Sequence, residues 1–195
     1  MTKNILLVGV GGQGTITASK LLTLGLLESC YDVKMNEIHG MSQRGGAVSS
    51  DVRYNETGAV DSPVISRGDA DIVVSFEEME ALRWCDYVKP DGAIIVSTEH
   101  IAGLPVMTGR VEYPEGIVDE LKKAAKTVLV IDGPAEAKKV GNSRVTNVIL
   151  LGAIVKYMNL ENIDWHKIIR ENVKPAFVDL NIEALELGKT LGQKL

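Results

Sequence analysis

Gly9-Val10-Gly11-Gly12-Gln13-Gly14 follows the apolar run Ile5 to Val8 and leads into a helix-forming segment, Thr15 to Ser29. An unbroken apolar run is how a strand buried on both faces reads. Glycines placed after it let the backbone turn sharply and approach a phosphate at the positive end of the following helix. The order strand, glycines, helix therefore invites a dinucleotide reading, with a tight strand-to-helix turn as the plain alternative. Glu37 follows Gly14 by 23 residues, close to where a dinucleotide fold keeps its ribose-binding acid. A solvated or hairpin-stabilising acid explains that position equally well.

The next segment redirects the reading. Tyr31 to Ile38 alternates as a second strand, with Val33, Met35 and Glu37 on one face. A dinucleotide fold would enter a helix here. Instead the chain gives His39-Gly40-Met41-Ser42-Gln43-Arg44-Gly45-Gly46, too rich in glycine for a stable helix, and then Ala47 to Tyr54, which alternates again. Two strands joined by a glycine-rich loop form a hairpin, so the second half of a βαβαβ nucleotide site is missing. The expected architecture is α/β and Rossmann-like: a mixed sheet with helices on both faces, and a β-hairpin in place of the second crossover.

Later segments keep the α/β rhythm. Strands are expected at Asp71 to Ser75, Gly92 to Ser97, near Val106 to Val111, and at Thr127 to Ile131. Helices are expected at Glu77 to Val88, Gly116 to Lys126, Pro134 to Lys139, Arg144 to Met158, Trp165 to Asn172 and Ile182 to Leu191, the last two separated by Pro175. The nearly uncharged Arg144 to Met158 helix must be buried, in this domain or against a partner. Asp132-Gly133-Pro134 reads as a strand-to-helix turn, and Trp84 and Trp165 as packing residues. With 195 residues, and without a linker or repeat, residues 1–195 read as one domain.

Composition narrows the partners. A net charge of −5 and no clustered Lys or Arg argue against a nucleic-acid surface. The start Met1-Thr2-Lys3 enters a strand directly, without a signal or membrane segment, so a cytoplasmic location is expected. Cys30 and Cys85 are far apart and cannot build an iron-sulfur or zinc site; both read as buried, reduced thiols. His100 and His166 lack partners at metal spacing, so no metal is assigned. His39 reads as a loop residue near a ligand or simply hydrogen-bonded. Ser42, Gln43 and Arg44 beside Gly45 and Gly46 supply the parts of an anion cradle, or else Arg44 pairs with an acid and the glycines only make the turn. Asn147, inside an apolar helix, must hydrogen-bond a neighbouring loop or face a ligand cleft.

Two segments together, Gly9 to Gly14 and Glu37 to Arg53, resemble the gamma-type domain of 2-oxoacid:ferredoxin oxidoreductases, and within that group the small beta subunit of the indolepyruvate enzymes. Asp61-Ser62-Pro63-Val64-Ile65 before Ala70-Asp71, Asn147 ahead of Leu151-Gly152-Ala153, and Asn181-Ile182-Glu183-Ala184 with Gly188 extend the likeness over essentially the whole chain. The loop His39 to Gly46 is its most specific part.

The resemblance implies a subunit, inactive alone, of an enzyme that decarboxylates a 2-oxoacid, passes electrons to ferredoxin and releases an acyl-CoA. It implies a larger partner subunit that holds thiamine diphosphate, Mg and iron-sulfur clusters. This chain would act as a lid helping to bind the nucleotide end of coenzyme A. Candidate contacts are then Gly9, Gly11, Gly12, Gln13, Gly14, Glu37, Met41, Ser42, Gln43, Arg44, Gly45, Gly46 and Asn147, with no catalytic residue. An indolepyruvate-type substrate rests on the resemblance alone. A gamma subunit of a pyruvate or 2-oxoglutarate enzyme, a free-standing NAD or FAD protein, and a nucleotide-binding regulator stay open, as does a homodimer of the isolated chain through the Arg144 to Met158 helix.

Overall fold

The computed structural model describes residues 1–40 and 45–193. The first apolar run is strand β1 (Lys3–Val10), buried at every position after Lys3. It leads through the glycine turn into helix α1 (Thr15–Glu28) and strand β2 (Asp32–His39). Strand β3 (Ala47–Asn55) then returns antiparallel to both β1 and β2. The α1 crossover leaves a gap one strand wide between β1 and β2, and β3 fills it, giving the expected hairpin.

Strands β4 (Ala70–Ser75), β5 (Val88–Ser97) and β6 (Thr127–Ile131) extend the other side of β1, each parallel to its neighbour. The sheet order is β2-β3-β1-β4-β5-β6. Side chains alternate across it as period two requires. Ile5, Leu7, Ile72, Val74, Ala93 and Ile95 pack under α1, α6 (Thr146–Tyr157), α7 (Trp165–Asn172) and α8 (Val178–Gly192). Leu6, Val8, Val73, Ile94 and Val96 pack under α2 (Glu78–Trp84) and α4 (Ile117–Ala124) on the other face. Because α1 and α2 leave adjacent parallel strands toward opposite faces, the crevice at the C-terminal ends of β1 and β4 is a topological switch point, where open α/β sheets bind ligands.

The structure corrects several expectations. No strand forms over Val106 to Val111: Leu104–Met107 is a single helical turn, α3, started by Pro105 and closed by Gly109 at φ 68°. Helix α2 stops at Trp84, and a 3₁₀ turn (Cys85–Tyr87) lets Val88 begin β5 beside Ala70. Cys30 is exposed, at φ 61° in the turn after α1, and Cys85 is half-buried, where desolvation pushes its thiol up.

Helix α6, offered as a partner surface, is instead buried within this fold. It crosses α8 at such close range that a Cβ on Gly188 would collide with the Ile149 carbonyl, and one on Gly152 with that of Leu185. Trp165 is buried and fits against Gly25, where an added Cβ would lie 2.5 Å from its ring. Trp84 is half-buried, its ring centroid 4.8 Å from that of Tyr87. Helix α5 (Gly133–Val140) begins as expected, with the Asp132 carboxylate accepting from the Ala135 N–H at 3.0 Å. No helix among the described residues is long and apolar enough to cross a membrane.

Candidate functional site

The glycine turn and the hairpin loop meet. Past the end of the β1–β3 ladder, the Gly11 N–H donates to the Gly46 carbonyl at 2.8 Å, and the Gly45 N–H donates to the Gly11 carbonyl at 3.3 Å. The return arm of the hairpin loop is therefore tied to the glycine turn by backbone hydrogen bonds. Met41, Ser42, Gln43 and Arg44 lie outside the described residues.

Each glycine of the turn has its own reason. Gly12 and Gly14 sit at φ 106° and 82°, in the left-handed region that costs a side chain dearly. A Cβ on Gly14 would also come within 2.8 Å of the Asn147 amide nitrogen, and one on Gly9 within 2.9 Å of Phe76, Gln13 and Thr15. Asn147, on the first turn of α6 and 7% exposed, donates its amide to the Gly14 carbonyl at 3.3 Å. It anchors the turn and lines a cleft beside it.

Gln13 proves to be a staple. Its Oε1 accepts from the Val10 N–H at 2.7 Å, and its Nε2 donates to the Phe76 carbonyl at 2.8 Å and to Glu99 Oε2 at 3.0 Å. One side chain thereby joins the ends of β1 and β4 to the loop after β5. Its own N–H is spent on the Val10 carbonyl at 3.2 Å. The amides that remain without an acceptor among the described residues belong to Gly12, Gly14, Thr15, Ile16 and Thr17, around an α1 N-terminus that has no side-chain cap and no acid in its first turn. They carry the positive end of the helix dipole. The Gly11 and Gln13 N–H groups are thus engaged within the turn, and the free donors lie toward the helix.

Glu37 has a partner within the fold. It accepts from the Ser19 hydroxyl at 3.2 Å, facing the α1 flank rather than the turn, because period-two alternation sends Met35 and Glu37 to the helix side.

Two clefts flank the turn. One, of about 460 Å³, is lined by Val10, Gly11, Gly12, Gly14, Thr15, Ile16, His39 and Val48. The other, of about 510 Å³, is lined by Gly11 to Gly14, Thr17, Glu99, Ile101, Ser143, Arg144, Thr146 and Asn147. Thr15, Thr17, Glu99, Ser143 and Arg144 were not singled out from sequence. The legible signal was Arg144, a cation just before a nearly uncharged helix.

A third hollow on the α2 side sets Glu77, Glu80 and Arg83 among mostly apolar residues. Glu77 caps α2 through the Glu80 N–H at 2.9 Å and accepts from the Tyr113 hydroxyl at 2.5 Å. Burial, with the Glu77 carboxylate beside it, pushes the Tyr113 hydroxyl well above the usual tyrosine range.

No group of three His, Cys, Asp or Glu side chains able to hold a metal converges among the described residues. Cys30 follows α1 on one face of the sheet, and Cys85 packs against the α2 face on the other, so the pair does not fit one iron-sulfur cluster.

Comparison with known proteins matches residues 4–191 to a family described as pyruvate ferredoxin/flavodoxin oxidoreductase. The indolepyruvate oxidoreductase subunit IorB of Archaeoglobus fulgidus is 36% identical over 194 residues, covering 96% of this chain and 94% of that one. Among solved structures, the gamma subunit of a keto/oxoacid ferredoxin oxidoreductase from Geobacter sulfurreducens superposes with a TM-score of 0.72 at 21% identity, over 99% of both chains. A 2-oxoglutarate:ferredoxin oxidoreductase from Magnetococcus marinus, solved with 2-oxoglutarate, coenzyme A and succinyl-CoA bound, matches all of this chain with 31% of its own length, at a TM-score of 0.74 and 20% identity.

Proposed function

The chain belongs to the pyruvate ferredoxin/flavodoxin oxidoreductase family, as a small subunit of a 2-oxoacid:ferredoxin oxidoreductase, and from that premise we propose that its glycine turn and hairpin loop hold the nucleotide end of coenzyme A. The observation that carries this reading is the set of amides at Gly12, Gly14, Thr15, Ile16 and Thr17, left without acceptors among the described residues on an uncapped helix end beside a cleft. Backbone N–H groups at a helix N-terminus are a ready anion site. Ser42, Gln43 and Arg44 would approach the ligand from the hairpin.

The role is positioning. Among the described residues no hydroxyl of either cleft is hydrogen-bonded to His39 or Glu99, whose side chains bond the Gly40 carbonyl and the Gln13 amide, and the two cysteines do not fit a cluster. Thiamine diphosphate, Mg and the iron-sulfur clusters are assigned to a larger partner subunit, which would supply decarboxylation and electron transfer to ferredoxin. This chain would hold coenzyme A so that its thiol meets the acyl group there, an orientation effect whose partial loss costs on the order of a hundredfold in rate. An aryl-type 2-oxoacid such as indolepyruvate is the proposed substrate, supported by the relative at 36% identity. The setting proposed is cytoplasmic.

The test is kinetic, in the complex reconstituted with the larger subunit. Gly12→Val forces a β-branched residue to φ 106°, and Arg44→Ala removes the hairpin cation. Each is expected to raise the KM for coenzyme A tenfold or more while leaving the KM for the oxoacid within twofold. Unchanged coenzyme A dependence in both variants overturns the proposal.

A further inference from the structure

Arg144 stands where helix energetics do not want it. It lies in the 3₁₀ turn Ser143–Val145 that feeds directly into α6, so its charge sits at the positive end of that helix. Its backbone N–H is used by the Asn142 carboxamide at 2.9 Å, which fixes the turn. The guanidinium is exposed and enters no ion pair among the described residues. A cation adds nothing to α6 at this point and repels its dipole.

The same cleft receives Gly12, Gly14 and Thr17 from the start of α1. Two helix N-termini, of 14 and 12 residues, and one guanidinium therefore share its walls. Next to it, the Thr15 hydroxyl is buried, with the residue 2% exposed, and has no hydrogen-bond partner among the described residues. That orphan lies at the first residue of α1 and faces Gly9, where an added Cβ would come within 2.9 Å of it, so it belongs to the packing of the turn. The one carboxylate in the Arg144 cleft, Glu99, has its Oε2 bonded by the Gln13 amide. A carboxylate at that wall repels phosphate, so the anion would sit toward Arg144, with an uncharged, hydroxyl-bearing portion of the ligand against Glu99.

We infer that Arg144 is a phosphate-binding residue, gripping a phosphate of the nucleotide between its guanidinium and the first turn of α1, from the side of the turn opposite the hairpin loop. The inference rests on the coenzyme A reading and deepens it. The glycine turn forms the floor of this site and Arg144 one wall. A guanidinium matches two phosphate oxygens at once, which a lysine does not.

Arg144→Gln, Arg144→Lys and Gly12→Val are compared in the reconstituted complex, with coenzyme A, dephospho-coenzyme A and pantetheine as acyl acceptors. Arg144→Gln is expected to raise the KM for coenzyme A roughly ten- to hundredfold, the worth of one hydrogen-bonded charge. The kcat should stay within threefold and the pantetheine reaction should not change. Arg144→Lys is expected to recover part of the loss. An equal loss with dephospho-coenzyme A places the guanidinium on the diphosphate; loss with coenzyme A alone places it on the 3′-phosphate. A coenzyme A KM within twofold of wild type, or an equal rise with pantetheine, overturns the inference. If Gly12→Val alone raises the KM, the turn binds nucleotide without Arg144. If neither variant does, the coenzyme A reading falls with it.

Discussion

Gln13→Ala tests whether the glutamine of the glycine turn is a staple or a ligand contact. The side chain makes three hydrogen bonds, to the Val10 N–H, the Phe76 carbonyl and Glu99. Val10 is 7% exposed and Phe76 is fully buried, so truncation strands one buried donor and one buried acceptor. Each stranded group costs about 1–3 kcal/mol. Gln13 itself is half-buried, so water relieves part of the loss, and about 2–3 kcal/mol is expected. For a chain of this length, that corresponds to a fall in Tm of roughly 5–10 °C. Thermal and urea unfolding of the full chain, followed by circular dichroism, reads this directly. Gln13→Glu keeps the acceptor for Val10 but sets a carboxylate against the Phe76 carbonyl and Glu99, so it should be no better than alanine at neutral pH. A Tm within about 1 °C of wild type for Gln13→Ala would refute the staple and return the side chain to the ligand.

Gly188→Ala, which would add up to about 1 kcal/mol at an open helix position, is expected to cost about 2–3 kcal/mol or more, because its Cβ meets the Ile149 carbonyl; urea midpoints decide the sign. Asn147→Ala removes the bond to the Gly14 carbonyl and should cost about 1 kcal/mol of stability while raising the KM for coenzyme A severalfold, and a change in stability without a change in KM would limit it to a structural role. Burial, only partly offset by Arg83, holds the Glu80 carboxyl above its ordinary value of 4.5. The folded chain therefore keeps that proton more tightly than the unfolded one, and stability should fall as pH rises from about 4.5 through the raised value. Glu80→Gln should flatten that part of the pH–stability curve while Asp51, also raised by burial, keeps its share; an unaltered slope would show that Glu80 titrates normally.

What the sequence revealed followed from periodicity and covalent geometry. The apolar run Ile5 to Val8 allows little but a central strand. The glycines after it, and the missing helix at His39 to Gly46, placed the hairpin before any contact was known. Val106 to Val111 misled because β-branched residues favour a strand only where a sheet edge awaits them, and Pro105 had already set the chain for a helical turn. The roles of Gly152 and Gly188 were invisible locally, since each glycine is required by a carbonyl from the other helix. Gln13 and Glu37 looked like ligand contacts by spacing. Only the register of β1 beside β4, and the facing of β2 toward α1, showed that their polar atoms already had partners. Arg144 escaped notice because 130 residues of chain separate it from the turn it faces.

The central claim concerns where the phosphates of coenzyme A lie, and a structure of the complex with the larger subunit, solved with coenzyme A bound, tests it most directly. The account predicts phosphate oxygens about 3 Å from the N–H groups of Gly12, Gly14 and Thr15, with the Arg144 guanidinium turned toward one of them. A coenzyme A whose phosphates contact only the larger subunit, leaving this helix end in water, would contradict it.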